Sequence, residues 1–577
     1  AADLTTSIPR KRRYLTRASE LAYQLGQIDA GDVHRAGVAL LADDEHSRLL
    51  LEELAEAGDV AAEGGIARIQ MLIALAERAR ALRDERLAGS FLRSAAYRCW
   101  AREPGIAAAH AVVRLVNKAA SSLPETERAV ALAYADPIDS AGTVAAILHA
   151  VNITESDSVT LQALAHAASC ISDFELADTF YSVVIAQLRN EGRLQLLPEA
   201  LVVQSWARLR RGQWSTAMPL AEEGCRLAEE IGLAEFASSG FAARAMVAAL
   251  RGEVAEVAPA ADQAERIALP NRINVSVAVS MLARATAAAA EGDFSNAWHY
   301  LARMHDPADP AFHPTQALWS LSHLAYAAVQ CDRLERTREL TGQLTSKLSM
   351  NSVRLAPAAH MNTVYADALL VPDEQIDQRV RVALASDVGS WPFERSRMQL
   401  LLGSRLRRQK RIVDSRELLL AAMNGFEGLG AGGWAERARE ELRAAGVPSL
   451  ASAPAAWNAL SAQELQVARM AAEGLTNKQI GERLYMSHRT VASHLYHIFP
   501  KLGITSRVQL TAMSLDLPSG APPPGAGQLL RTRLHPAQPA RRRRQPASKS
   551  TRRPAPKALS GSSQAADTRL RRWPSGW

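Results

Sequence analysis

The sequence predicts an all-α protein: a long solenoid of helical hairpins, then a compact bundle of four short helices. Three observations predict this. The chain is rich in Ala and Leu, only 5% aromatic, and its front shows almost no strand alternation. A turn signature recurs every 40 residues through the middle. Near the end, capping signals for four helix starts crowd into residues 461–510.

Composition narrows the class. At 577 residues the chain exceeds one compact domain, so several domains or a repeat array are expected. Cys99, Cys170, Cys225 and Cys331 lie far apart with no CxxC pair, which fits reduced thiols rather than disulfides or a metal site. The basic stretch "IPRKRRYL" is followed by no apolar signal core, and no apolar run reaches about 18 residues. No membrane partner is expected, and the localisation is cytoplasmic. The net charge of +7 is unevenly placed. From Leu517 onward there are 13 Lys or Arg and one acid, Asp567; the rest holds 54 basic against 59 acidic residues. The body is therefore mildly acidic, and the overall charge argues nothing about nucleic acid.

Residues 1–160 read as degenerate helical repeats. "ARIQMLIALAERARAL" and "ERLAGSFLRSAAYRCW" are helical, and "GDVHRA", residues 31–36, echoes the turn signature without its spacing. Residues 161–445 carry the strict repeat. Ser172, Gly212, Gly252, Gly292 and Asp332 are the turn residues. Two positions later stand Phe174, Trp214, Val254, Phe294 and Leu334; five later, Ala177, Ala217, Val257, Ala297 and Thr337. Five before the turn stand Ala167, Ala207, Val247, Ala287 and Ala327, and a looser copy follows at Lys410 with Ile412 and Ser415. The turn residue ends the first helix through a positive φ. The large residue anchors the second helix, and the small ones let backbones approach. A hairpin cannot bury its face alone, so neighbours stack. This array resembles tetratricopeptide repeats, with units longer than the usual period of about 34 residues; HEAT-like pairing describes similar physics. Such a solenoid offers a concave surface to a peptide, protein or small molecule, or serves as a spacer.

"GVPSLASAPAA", residues 446–456, is a linker. The last unit, residues 457–517, follows it. Ser461 with Glu464, Thr476 with Gln479, and Ser506 with Gln509 fit capping boxes, and Ser487 caps "HRTVASHLYHI". Gly474 and Gly503 stand where helices should stop. On a helical wheel Val491, Leu495, Ile498 and Leu502 share one stripe; Arg489, Ser493 and Tyr496 lie opposite, with Ala492 and His497 at the margins. A helix laid in a DNA major groove needs such a polar face. The short preceding helix and tight turn match helix-turn-helix spacing.

Residues 460–510, "LSAQELQVARMAAEGLTNKQIGERLYMSHRTVASHLYHIFPKLGITSRVQL", resemble the LuxR-type helix-turn-helix domain. The residues that carry the match include Leu460, Glu464, Gly474, Asn477, Ile480, Leu484, Ser487, Thr490, Val491, His494, Ile498, Lys501, Leu502 and Arg507. The flavour is that of actinobacterial large ATP-binding LuxR regulators, which place an NTPase module and a helical-repeat region before this domain. The resemblance implies that Asn477, Lys478, Thr490 and Lys501 contact phosphates. It implies that Arg489, Ser493 and Tyr496 touch base edges, with the Ala492 methyl against thymine. Ile480, Leu484, Val491, Leu495, Ile498 and Leu502 form the domain core. It also implies double-stranded DNA as partner, a homodimer on DNA, and RNA polymerase as a contact. No GxxxxGK[ST] occurs, so no cofactor is expected in this chain; ATP would enter only with a preceding NTPase module. Pro500 inside the third helix predicts a kink or break near residues 496–500. His488, His494 and His497 lack the Cys or carboxylate neighbours of a zinc site.

Residues 518–577, with "PSGAPPPGAGQ" and "ARRRRQPASKSTRRPAPKALSGSS", read as a disordered basic tail. It adds nonspecific DNA affinity, does nothing specific, or is an out-of-frame reading of GC-rich DNA. With no HExxH or GxSxG either, an enzyme is not expected. The sequence thus predicts a DNA-binding transcription regulator with a helical-repeat sensor for an unknown protein or small molecule. The alternative is an interaction scaffold, or a severed signalling-NTPase fragment, with a non-functional helix-turn-helix.

Overall fold

The computed structural model describes residues 2, 5–24, 27–58, 65–102, 105–346, 350–386, 391–447, 460–502, 507 and 510. Among the described residues the 28 regular elements are all helices. None is long and apolar enough to cross a membrane.

The repeat turns form as their residue types demand. Ser172, Gly212, Gly252, Gly292, Asp332 and Lys410 all have positive φ, between 57° and 84°. In each case the next residue donates its N–H five positions back, as Asp173 to Ala168 O and Gln213 to Arg208 O, both at 2.9 Å. Orphan carbonyls at the helix end are thereby satisfied. The small residues sit in the inter-helix contact. Ala167, Ala177, Ala207 and Ala297 are fully buried, and Thr337 and Ser415 are buried as well. The large anchors are less uniform. Phe174 and Trp214 are buried, while Val254, Phe294 and Leu334 are half-buried.

The array is more regular than the 40-residue signature. Gly192, Gly232 and Arg272 also have positive φ, so from Ser172 to Gly292 a left-handed residue recurs every 20 positions, at both ends of a hairpin. A further hairpin, Pro357–Leu369 with Asp373–Ala385, fills the interval before Lys410. Its turn is made by Pro372 at φ −53°, which hides it from a search for Gly, Ser or Asp. Arg83 belongs to the same class: φ is 60°, and Asp84 N–H donates to Ala79 O at 3.0 Å. The echo at residues 31–36 is no turn. It lies inside the helix Ile28–Ala39, where Gly31 makes room for the Tyr23 ring.

The main apolar core runs from Leu49 to Ala445, a small cluster of Cys225, Phe241, Ala242, Ala264 and Val279 lies apart from it, and the array closes on itself. The helix Gly432–Ala444 packs against Ala234–Arg251 and Asn274–Glu291. A Cβ on Gly252 would stand 2.7 Å from Gly433 N. Arg437 donates to Ala289 O at 2.9 Å, and Trp434 is fully buried with its ring 5.5 Å from Phe393. Helix Glu85–Arg102 likewise meets Asn274–Glu291. The core of the C-terminal unit, from Leu460 to Leu510, is separate.

Candidate nucleic-acid interface

Among the described residues three helices of the C-terminal unit have defined bounds: Ala462–Ala472, Asn477–Leu484 and His488–Lys501. Each starts on a side-chain cap. Glu464 N–H donates to Ser461 Oγ at 3.3 Å, and Ser461 N–H to Glu464 Oε2 at 2.8 Å. Thr476 and Gln479 repeat this reciprocal pair. Thr490 N–H donates to Ser487 Oγ at 3.1 Å. Gly474 stops the first helix at φ 86°. The Ser506–Gln509 box and Gly503 lie outside the described residues, as do residues 448–456 of the linker and the basic tail, though Leu510 is buried in this core.

The turn between the second and third helices depends on two residues that pattern reading missed. Tyr485 takes φ 55°, and Met486 N–H donates to Gly481 O at 2.9 Å. A Cβ on Gly481 would lie 2.5 Å from Met486 O, so only glycine lets the turn fold back on its helix. The available signal was a glycine in a helix interior, where it costs about 1 kcal/mol relative to Ala and usually marks close approach.

That turn fixes which face the third helix buries. Val491, Leu495, Ile498 and Leu502 are at most 5% exposed, together with Ile480; Leu484 is half-buried against them. Arg489, Ala492, Ser493 and His497 face solvent, and Tyr496 is 76% exposed. The helix continues through Pro500 to Lys501, and Leu502 N–H donates to Ile498 O at 2.9 Å. The expected break does not occur. Pro500 stands one residue before the helix end, so its missing N–H affects a single carbonyl, on the exposed Tyr496.

The residues assigned to phosphates divide. Lys478 and Thr490 face solvent. Lys501 Nζ lies 2.7 and 2.8 Å from the two Glu464 oxygens, tying the third helix to the first. That ammonium, with the Ser461 N–H, pulls the Glu464 carboxyl down to about 2. Asn477 Oδ1 accepts from Arg507 Nη1 at 2.7 Å, and Arg507 also bonds Leu475 O. His497 Nδ1 meets Ser493 O at 2.7 Å. Among the described residues no group of three His, Cys, Asp or Glu gathers.

Residues 458–514 match the family "Bacterial regulatory proteins, luxR family". The C-terminal unit is a luxR-family domain. Over 54 residues the chain is 52% identical to a protein described as an HTH-type transcriptional regulator in Mycobacterium bovis; this covers 9% of this chain and 6% of that one. Over 56 residues it is 41% identical to the oxygen regulatory protein NreC of Staphylococcus aureus, covering 10% and 26%. Both similarities span a small part of this chain and of each relative. A crystal structure of a Rap protein complexed with competence and sporulation factor overlaps 62% of this chain and 97% of its own. Its TM-score is 0.37 at 11% identity.

Proposed function

We propose that the protein is a sequence-specific DNA-binding transcription regulator. The observation that carries this is the third helix of the luxR-family domain. Its apolar stripe is spent on the core, while Arg489, Ser493 and Tyr496 are turned outward on one face. Arg489 supplies a fork suited to guanine O6 and N7, Ser493 a hydroxyl, Tyr496 a phenol, and Ala492 a methyl for thymine. Lys478 and Thr490 fix the docking on phosphates, with Asn477 beside them. Lys501 acts mainly as a strut through Glu464. The active form on DNA is a dimer reading two half-sites about one helical turn apart. The helical array is the sensor whose ligand biases DNA binding.

Selection of sites from a random duplex pool tests this with the full chain at moderate salt. The expected outcome is an enriched, roughly two-fold-symmetric motif. Binding without any enrichment would overturn it.

A further inference from the structure

Inside the closed array lies a cavity of about 80 Å³ with aromatic walls from Trp100, Phe174, Trp206, Phe236 and Trp319. Polar groups of both signs reach it. Arg210 lines the cavity, its guanidinium 5.5 Å from the Trp319 ring centre. Among the described residues it has no hydrogen-bond acceptor; Glu394 biases its charge from a distance. Glu235 lines the same cavity and is held by Tyr97 OH, which donates to Oε1 at 2.6 Å. Two further atoms wait for partners. Trp319 Nε1, a donor, and Gln316 Oε1, an acceptor, are buried and unbonded on residues that are each 4% exposed. Buried polar atoms are ordinarily satisfied, and these two sit on residues that line the cavity.

Glu235 and Phe236 also line a larger cavity of about 340 Å³, within the range of ligand pockets. Glu199 lines that space, 3.0 Å from His166 Nδ1. Gln162 lines it too, with its Oε1 buried and unbonded. We propose that the two cavities form one binding site for a small zwitterion, its ammonium against Glu235 and Glu199 and its acidic group against Arg210. The aromatic walls take its apolar part and favour the cationic end through their ring faces. Burial lifts the Glu235 carboxyl above the usual range, and an ammonium set against it would offset that cost. This identifies the ligand class for the sensor reading above and rests on it.

The test is binding of free L-amino acids and small dipeptides to the full chain, read by thermal shift and by tryptophan fluorescence. The same compounds with the amine acetylated, or the carboxylate amidated, serve as controls. The expected result is a hit with free ends that is weakened about tenfold or more by either block. Arg210→Met and Glu235→Gln should each weaken it by a similar factor, with the helical circular dichroism retained. If Arg210→Met does not fold, Gln316→Leu and the end-blocked compounds still decide the matter. No hit, or a hit indifferent to both blocks and to the variants, overturns the proposal. Affinity for a selected duplex is measured alongside. DNA binding without a hit sinks this inference and leaves the regulator reading standing. A hit that leaves DNA affinity unchanged supports the site and removes the sensor role.

Discussion

The helical array and the luxR-family unit are both built from short helices, yet they are stabilised in opposite ways. In the array most helix starts have no side-chain cap, Trp214 and Val254 among them. Many of its helices end on left-handed residues, and neighbours supply the burial through a main core from Leu49 to Ala445. In the C-terminal unit all three described helix starts carry a side-chain cap, and the core is small. A repeat can lean on the next repeat. A small bundle has too little apolar area for that and must settle its helix ends locally. Damage should therefore spread in the first region and stay local in the second.

The largest expected effect is at the closure of the array. Trp434→Ala removes a fully buried side chain packed on Phe393, Phe426 and Tyr326. It should cost about 3–5 kcal/mol. Hydrogen exchange should rise in Ala234–Arg251 as well as in Gly432–Ala444. Loss confined to the last helix would break the claim that the array is one cooperative body.

Gly481→Ala comes next. The added methyl meets Met486 O, and overpacking of this kind costs about 1–3 kcal/mol. DNA affinity should fall while the array melts unchanged. Thr476→Ala should cost about 1 kcal/mol, read as faster exchange in Asn477–Leu484 alone. A change in array melting with either variant would contradict the local character of the unit.

The smallest effect sharpens the comparison through pH. The Glu464 carboxyl is held at about 2 in the folded chain, against an ordinary value near about 4.3. Its stabilising contribution is present above the ordinary value and is lost as pH falls through about 2. The C-terminal unit should loosen across that acid window, and Glu464→Gln should remove this component. An acid transition of the same size in the variant would show that the Lys501 pair does not matter.

How much could be read in advance follows the same division. The 40-residue register was legible because Ser172, Gly212, Gly252, Gly292 and Asp332 must take positive φ. The hairpin at Pro372 was not, because its turn uses another residue type, and the closure of Gly252 on Gly433 joins positions no local pattern connects. In the luxR-family unit, caps and stripe were legible in Ser461, Thr476, Ser487 and Val491. The partnering of Lys501 with Glu464 was not, since a surface lysine reads alike whether it meets a phosphate or a carboxylate.

The most direct measurement compares the full chain with an Arg489→Ala, Ser493→Ala, Tyr496→Ala variant on the selected duplex and on a scrambled one. The account predicts unchanged folding, similar weak binding to the scrambled duplex, and loss of the preference, with each base-reading residue worth about 1–3 kcal/mol. A variant that keeps the same preference would contradict it, because the outward face of the third helix would then not be what reads DNA.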